Sequence, residues 1–238
     1  MKMKNNLFQV SSLQALLQGY YKEVIAVKEL KEHGDTGLGT FVQSDGEMIL
    51  LDGHVYQALY DGRVIEARED QGIPFGVVTF FHPDETVSFS AENMEDARRK
   101  LDEAIQAHHN HMAVIRMEGM FDLVQYRSGR PVPSGKDIPL ADWLNENQKE
   151  WTEKNIAGTA AGIYMPAFMN HLNCPGWHLH FLSEDHHKGG HVLDLKVKAA
   201  KLSLSYCKGF EMIQPEDEKY ERMDLSLDQT EAIERAEK

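Results

Sequence analysis

Between residues 34 and 66 the apolar positions fall in short runs, at 40–42, 48–51, 55–59 and 64–65, and each gap holds an Asp-Gly pair: Asp45-Gly46, Asp52-Gly53 and Asp61-Gly62. Asp-Gly suits tight turns that need positive φ, so the segment predicts consecutive antiparallel hairpins. Upstream, Leu13, Leu16, Leu17 and Tyr20 recur at helical spacing. They predict a helix over 13–30, although the β-branched Val24, Ile25 and Val27 pull its second half toward strand.

Strand-like runs follow at 77–81 and 86–89, and then Asn93 stands where a helix cap belongs, ahead of Ala97, Leu101, Ala104 and Ile105. This is the best-marked helix of the chain. Two strands, 113–117 and 121–126, are expected to turn at Glu118-Gly119, and 128–139 is a loop holding three of the eight prolines. Beyond it the pattern predicts a short helix at 140–147, strands at 160–165, 177–182, 191–197, 202–206 and 210–213, and a helical tail over 227–238. Neighbouring hairpins with few, separate helices indicate an α+β class built on antiparallel sheets. The proline-rich loop divides the expectation into an N-terminal half, 1–130, and a C-terminal half, 131–238.

Charge narrows the function. The 38 acidic side chains against 25 basic give a net charge of −13, a field that repels nucleic acid and anionic membrane, so neither is expected as a partner. An anionic substrate would need a local positive feature, a metal ion or a placed arginine. The two cysteines, Cys174 and Cys207, lack metal or disulfide-framework spacing, and no apolar run is long enough to span a bilayer. The expectation is a cytoplasmic protein.

The chemistry concentrates in Trp177-His178-Leu179-His180-Phe181. A strand's period of two puts both histidines on one face and the large apolar groups on the other. Gly189-Gly190 allows a tight return that brings His191 back toward them. Three imidazoles leave one tetrahedral position of a zinc ion open, the arrangement of a catalytic site. Spacing alone also permits a plain polar strand face with a loop histidine. His108, His109 and His111 near a helix end, and His186 and His187 in a loop, read as non-ligands. The runner-up reading comes from His178-x-His180-x-x-x-Glu184, similar to the first metal motif of cupin oxygenases and isomerases, but no second motif follows and His191 is the last histidine. A non-catalytic metal-binding module is a further reading of the triad.

Four separated segments, His33–Phe41, Gly46-Glu-Met-Ile49, Phe121–Arg127 and Gly176–Phe181 with Gly189–Asp194, together resemble the acetolactate decarboxylase family, in that family's order. The resemblance implies an α+β carboxy-lyase that converts 2-acetolactate, a small 2-hydroxy-3-keto acid anion, to acetoin and carbon dioxide. It further implies a zinc held by His178, His180 and His191, substrate contacts from Thr40 and Arg127, and a homodimer. Glu47 and Arg127 match the family's functional glutamate and arginine. A C-terminal glutamate, Glu237 or the neighbouring Glu234, is implied near the metal. From the residues alone, Glu47 would be an exposed hairpin carboxylate and Arg127 a surface charge. Gly37-Leu-Gly39 lacks the third glycine and the following helix of a dinucleotide fingerprint.

Overall fold

The structure, a computed structural model, describes residues 5–237, the side chains of Glu234 and Glu237 excepted. From the N-terminus, β1 (Asn6–Val10) and α1 (Leu13–Leu17) lead through β2 (Ile25–Ala26) and α2 (Val27–Leu30) into β3 (Thr36–Thr40). The strands β4 (Glu47–Leu51), β5 (His54–Ala58) and β6 (Val64–Glu66) follow, then β7 (Gly72–Ile73), β8 (Phe75–Thr79), β9 (Glu85–Ala91) and α3 (Met94–Ala104). The remainder is β10 (Met112–Gly129), α4 (Leu140–Asn147), β11 (Gln148–Met165), β12 (Gly176–Ser183), β13 (Gly189–Cys207), β14 (Gly209–Ile213), α5 (Glu218–Glu221) and α6 (Thr230–Glu237). The class is α+β, and the sheets are antiparallel except where β14 runs parallel to β1. No helix among the described residues is long and apolar enough to cross a membrane.

The Asp-Gly pairs do turn the chain: β3, β4, β5 and β6 lie side by side in a seven-stranded sheet ordered β14-β1-β8-β3-β4-β5-β6. The expected helix over 13–30 is interrupted. Ser12 caps α1 through its hydroxyl, but Gly19 enters the left-handed region at φ +90, where glycine ends a helix without strain. Ile25 and Ala26 then pair with β7, so Ile25 keeps its strand preference, while Val27 opens the short helix α2. Asn93 caps α3 as expected, accepting from the Asp96 amide at 2.9 Å.

The second sheet corrects the pattern more deeply. No turn forms at Glu118-Gly119; 112–129 is one strand, and so is 189–207, where two strands were expected. Gly119 is there for proximity, since a Cβ on it would stand 2.2 Å from the Ala199 carbonyl oxygen of β13. β10 pairs with both β11 and β13, and β12 pairs with both of those, so β10-β11-β12-β13 closes on itself with β9 added to β13. The expected halves interleave: β14 stands in the first sheet and β9 in the second. Ile49, Leu51 and Tyr56 of the first sheet meet Ala161 and Leu182 of the second in a shared core, which presses β4 against the face of β12.

Candidate active site

The alternation in β12 does what its period requires. Trp177, Leu179 and Phe181 enter the main core, while His178 and His180 turn the other way, toward β4. Neither is left at a surface, for His178, His180 and His191 are all at most 5% exposed. Pairing register brings the rest. His191 stands opposite His180 of β12 on one side and opposite Arg127 of β10 on the other, and directly opposed residues have Cβ atoms only about 5 Å apart. Gly190 permits this approach in a way the sequence did not announce. The chain reverses at 184–188, and both glycines already lie in β13, where a Cβ on Gly190 would stand 2.4 Å from the Arg127 carbonyl oxygen.

The His178 Nε2 atom lies 3.1 Å from His180 Nε2 and 3.0 Å from His191 Nδ1, and the three ligand atoms all fall within 4.8 Å of one another. Tetrahedral ligands about 2.05 Å from a zinc ion stand roughly 3.3 Å apart, close to the two distances from His178, and the full set, within 4.8 Å, has to draw in to hold such an ion. On its far side His180 Nδ1 is 2.8 Å from the Met48 carbonyl oxygen. A carbonyl only accepts, so Nδ1 carries the proton and the Nε2 lone pair faces the cluster. Burial holds His178 well below the ordinary histidine range, with His180 and Arg127 adding to the effect. Burial also brings His180 down to about 3, against the Met48 carbonyl and with the help of the Arg127 charge. Neutral imidazole is the form that binds a metal.

Glu47 is the first residue of β4, directly after the Asp45-Gly46 turn, and it points into the site instead of outward. Its Oε2 lies 3.6 Å from His180 Nε2 and its Oε1 3.4 Å from Arg127 Nη1. The Arg127 side chain is only 6% exposed, and its Nη2 donates to the Ala236 carbonyl near the end of α6. Burial pushes the Glu47 carboxyl up to about 7, although the Arg127 charge acts in the opposite direction. The turn that aims Glu47 is pinned from two sides: Thr40 Oγ1 donates to the Gly46 carbonyl at 2.7 Å, and Gln57 Nε2 to the Asp45 carbonyl at 2.6 Å. Thr40 also lines the cavity. Glu237 closes α6, but its side chain, like that of Glu234, lies outside the described residues.

The cavity holds about 20 Å³ of free space, room for roughly one water. Part of its lining was not singled out from the sequence: Leu16, Phe75, Leu140 and Leu144, whose helical or strand spacing marks them only as core. The Met48 carbonyl was missed because a main-chain acceptor leaves no trace in residue type. Among the described residues no other group of three or more histidines, cysteines and carboxylates gathers as closely. His108 lies against the Tyr206 ring, His109 Nδ1 against the Gln106 carbonyl, and His186 Nδ1 against the Tyr56 hydroxyl.

Residues 7–227 match the sequence model of the alpha-acetolactate decarboxylase family. The chain is 35% identical to the alpha-acetolactate decarboxylase of Methanosarcina mazei over 98% of its length and 80% of that protein's. Against the Brevibacillus brevis enzyme of the same name it is 34% identical, covering 98% and 81%. Among solved structures, the alpha-acetolactate decarboxylase of Bacillus subtilis strain 168 superposes with a TM-score of 0.93 at 29% identity, covering 98% of this chain and 99% of that one.

Proposed function

Since this chain belongs to the alpha-acetolactate decarboxylase family and is a carboxy-lyase, we propose that it converts 2-acetolactate to acetoin and carbon dioxide at a zinc ion held by His178, His180 and His191. One observation carries the reading: three buried imidazoles converge at ligand spacing with Glu47 and Arg127 against the same point. When bound, the ion supplies a Lewis acid for the substrate's ketone and hydroxyl oxygens. Arg127 offers its charge and planar fork to the substrate's carboxylate. Thr40, whose hydroxyl proton is committed to Gly46, retains lone pairs to accept from the substrate hydroxyl.

Decarboxylation breaks the bond between the carboxylate carbon and C2, and the electron pair passes toward the adjacent ketone. Glu47 then returns a proton to that carbon. A carboxyl pushed up to about 7 by burial is about half protonated at neutral pH, so it can both hold and deliver a proton there, as a general acid must. Regeneration takes one proton from solvent, so the reaction needs no oxidant and no organic cofactor. We assign to Glu237, with Glu234 as the neighbouring choice, the C-terminal carboxylate that completes the site. Buried metal ligands and a homodimeric, cytoplasmic enzyme acting on a small anion belong to the same reading, with the buried Arg127 supplying the local positive charge that the acidic chain otherwise lacks.

Stripping the protein with a chelator and restoring zinc tests this. Acetoin formation is expected to vanish and return with about one ion per chain, and His180→Ala is expected to lose both metal and activity. Undiminished turnover by metal-free protein would remove the ion from the mechanism.

A further inference from the structure

The cavity has two chemistries. The histidines, Glu47 and Arg127 account for the polar side, and Leu16, Phe75, Leu140 and Leu144 form the apolar side. If, on the function proposed above, the carboxylate goes to Arg127 and the two oxygens to the metal site, then the groups left over on the substrate are alkyl. Only the apolar side is suited to receive them.

Leu144 of this wall lies beside the charged row. Arg127 and Gly129 are two apart on β10 and so share a face. Gly129 puts no side chain there, and Leu144 of α4 fills the space: a Cβ on Gly129 would stand 2.7 Å from Leu144 Cδ2. Leu140, one turn earlier on α4, lies along the same face of the helix. Both leucines are at most 5% exposed and share a core with Leu16, Phe75 and the buried Ile233 and Ala236 of α6, so the wall is backed by packed side chains and yields little. One additional methylene against this wall has to be accommodated by whichever of these packed side chains gives way.

We propose that Leu144 is the specificity-determining residue of the site, and that its side chain limits the length of the alkyl substituent the substrate carries. An apolar pocket discriminates one methylene by about 10- to 200-fold in kcat/KM, and shortening Leu144 returns that volume.

The test measures kcat/KM for 2-acetolactate and for its homologue with ethyl in place of the C2 methyl, on zinc-loaded protein. Leu144→Ala is expected to raise the ethyl-to-methyl ratio by about 10-fold or more. Leu144→Val, a smaller cut that keeps the core filled should the alanine variant fail to fold, is expected to move the ratio the same way by less. Leu13→Ala removes a leucine from the same core that does not line the cavity, and is expected to keep the wild-type ratio. Ratios within twofold of wild type in the folded Leu144 variants, or an equal shift in Leu13→Ala, would overturn the assignment. Wild-type protein inert on 2-acetolactate would instead sink the proposed function, so the two failures are distinct.

Discussion

Two side chains show how far a residue can be read on its own. Glu47 follows an Asp-Gly turn and Arg127 ends an alternating strand, so each reads locally as a solvated charge. Burial of both is decided by β4 crossing the face of β12 and β13, a contact between residues 132 positions apart in the case of Met48 and His180, and no local pattern encodes it. The resemblance to a family marked them; the structure brings them together. If Glu47 delivers the proton, Glu47→Gln should keep fold and metal yet lower kcat by about 10²- to 10⁴-fold, the usual worth of general acid catalysis. Wild-type kcat in that variant would return the role to another group. Arg127→Lys keeps the charge but loses the two-pronged geometry and the bond to Ala236, so kcat/KM should fall markedly in steady-state assays even on metal-replete protein. Cys207 offers a simpler check. It is fully buried and burial pushes its thiol up to about 12, so thiol reagents should label it only after denaturation, as peptide mapping would show.

At the level of elements, periodicity and capping predicted what depends on a few adjacent residues. The Asp-Gly hairpins, α3 with its Asn93 cap, α4 over 140–147 and the histidine strand β12 all follow from local chemistry. The long strands did not, because Gly119 reads as a turn wherever its neighbour strand is unknown, and the polar, charge-rich start of β11 carries no apolar run. Asn93→Ala should cost about 1 kcal/mol of stability in a denaturant titration, with no change in site geometry; a change below the error of the fit would mean the cap is dispensable. The C-terminal helix is docked by Ile233 and Ala236, both buried, and by Arg127 at the Ala236 carbonyl. Ile233→Ala should therefore speed hydrogen exchange over 230–237 while β10–β13 stay protected, and unchanged protection of that helix would contradict the docking.

Across the whole molecule, the net charge of −13 and a buried cationic guanidinium answer the same requirement: an anionic substrate must be drawn by a local positive feature because the general field opposes it. The histidine cluster ties β12 and β13 together and leans on β4 through Met48, so, on the function proposed, an ion bound only by the native state should stabilise both sheets. At 100-fold saturation this amounts to about 2.7 kcal/mol, or about 5–10 °C in Tm for a chain of this size. Calorimetry before and after chelation would show it, and an unchanged Tm would mean the ion does not bind at such affinity. The central claim is tested most directly by giving zinc-loaded protein 2-acetolactate labelled at its carboxylate, without dissolved oxygen or added organic cofactor. Equimolar acetoin and labelled carbon dioxide are predicted, at the rate seen in air; acetoin formed only when oxygen is admitted, or none at all, would contradict the account.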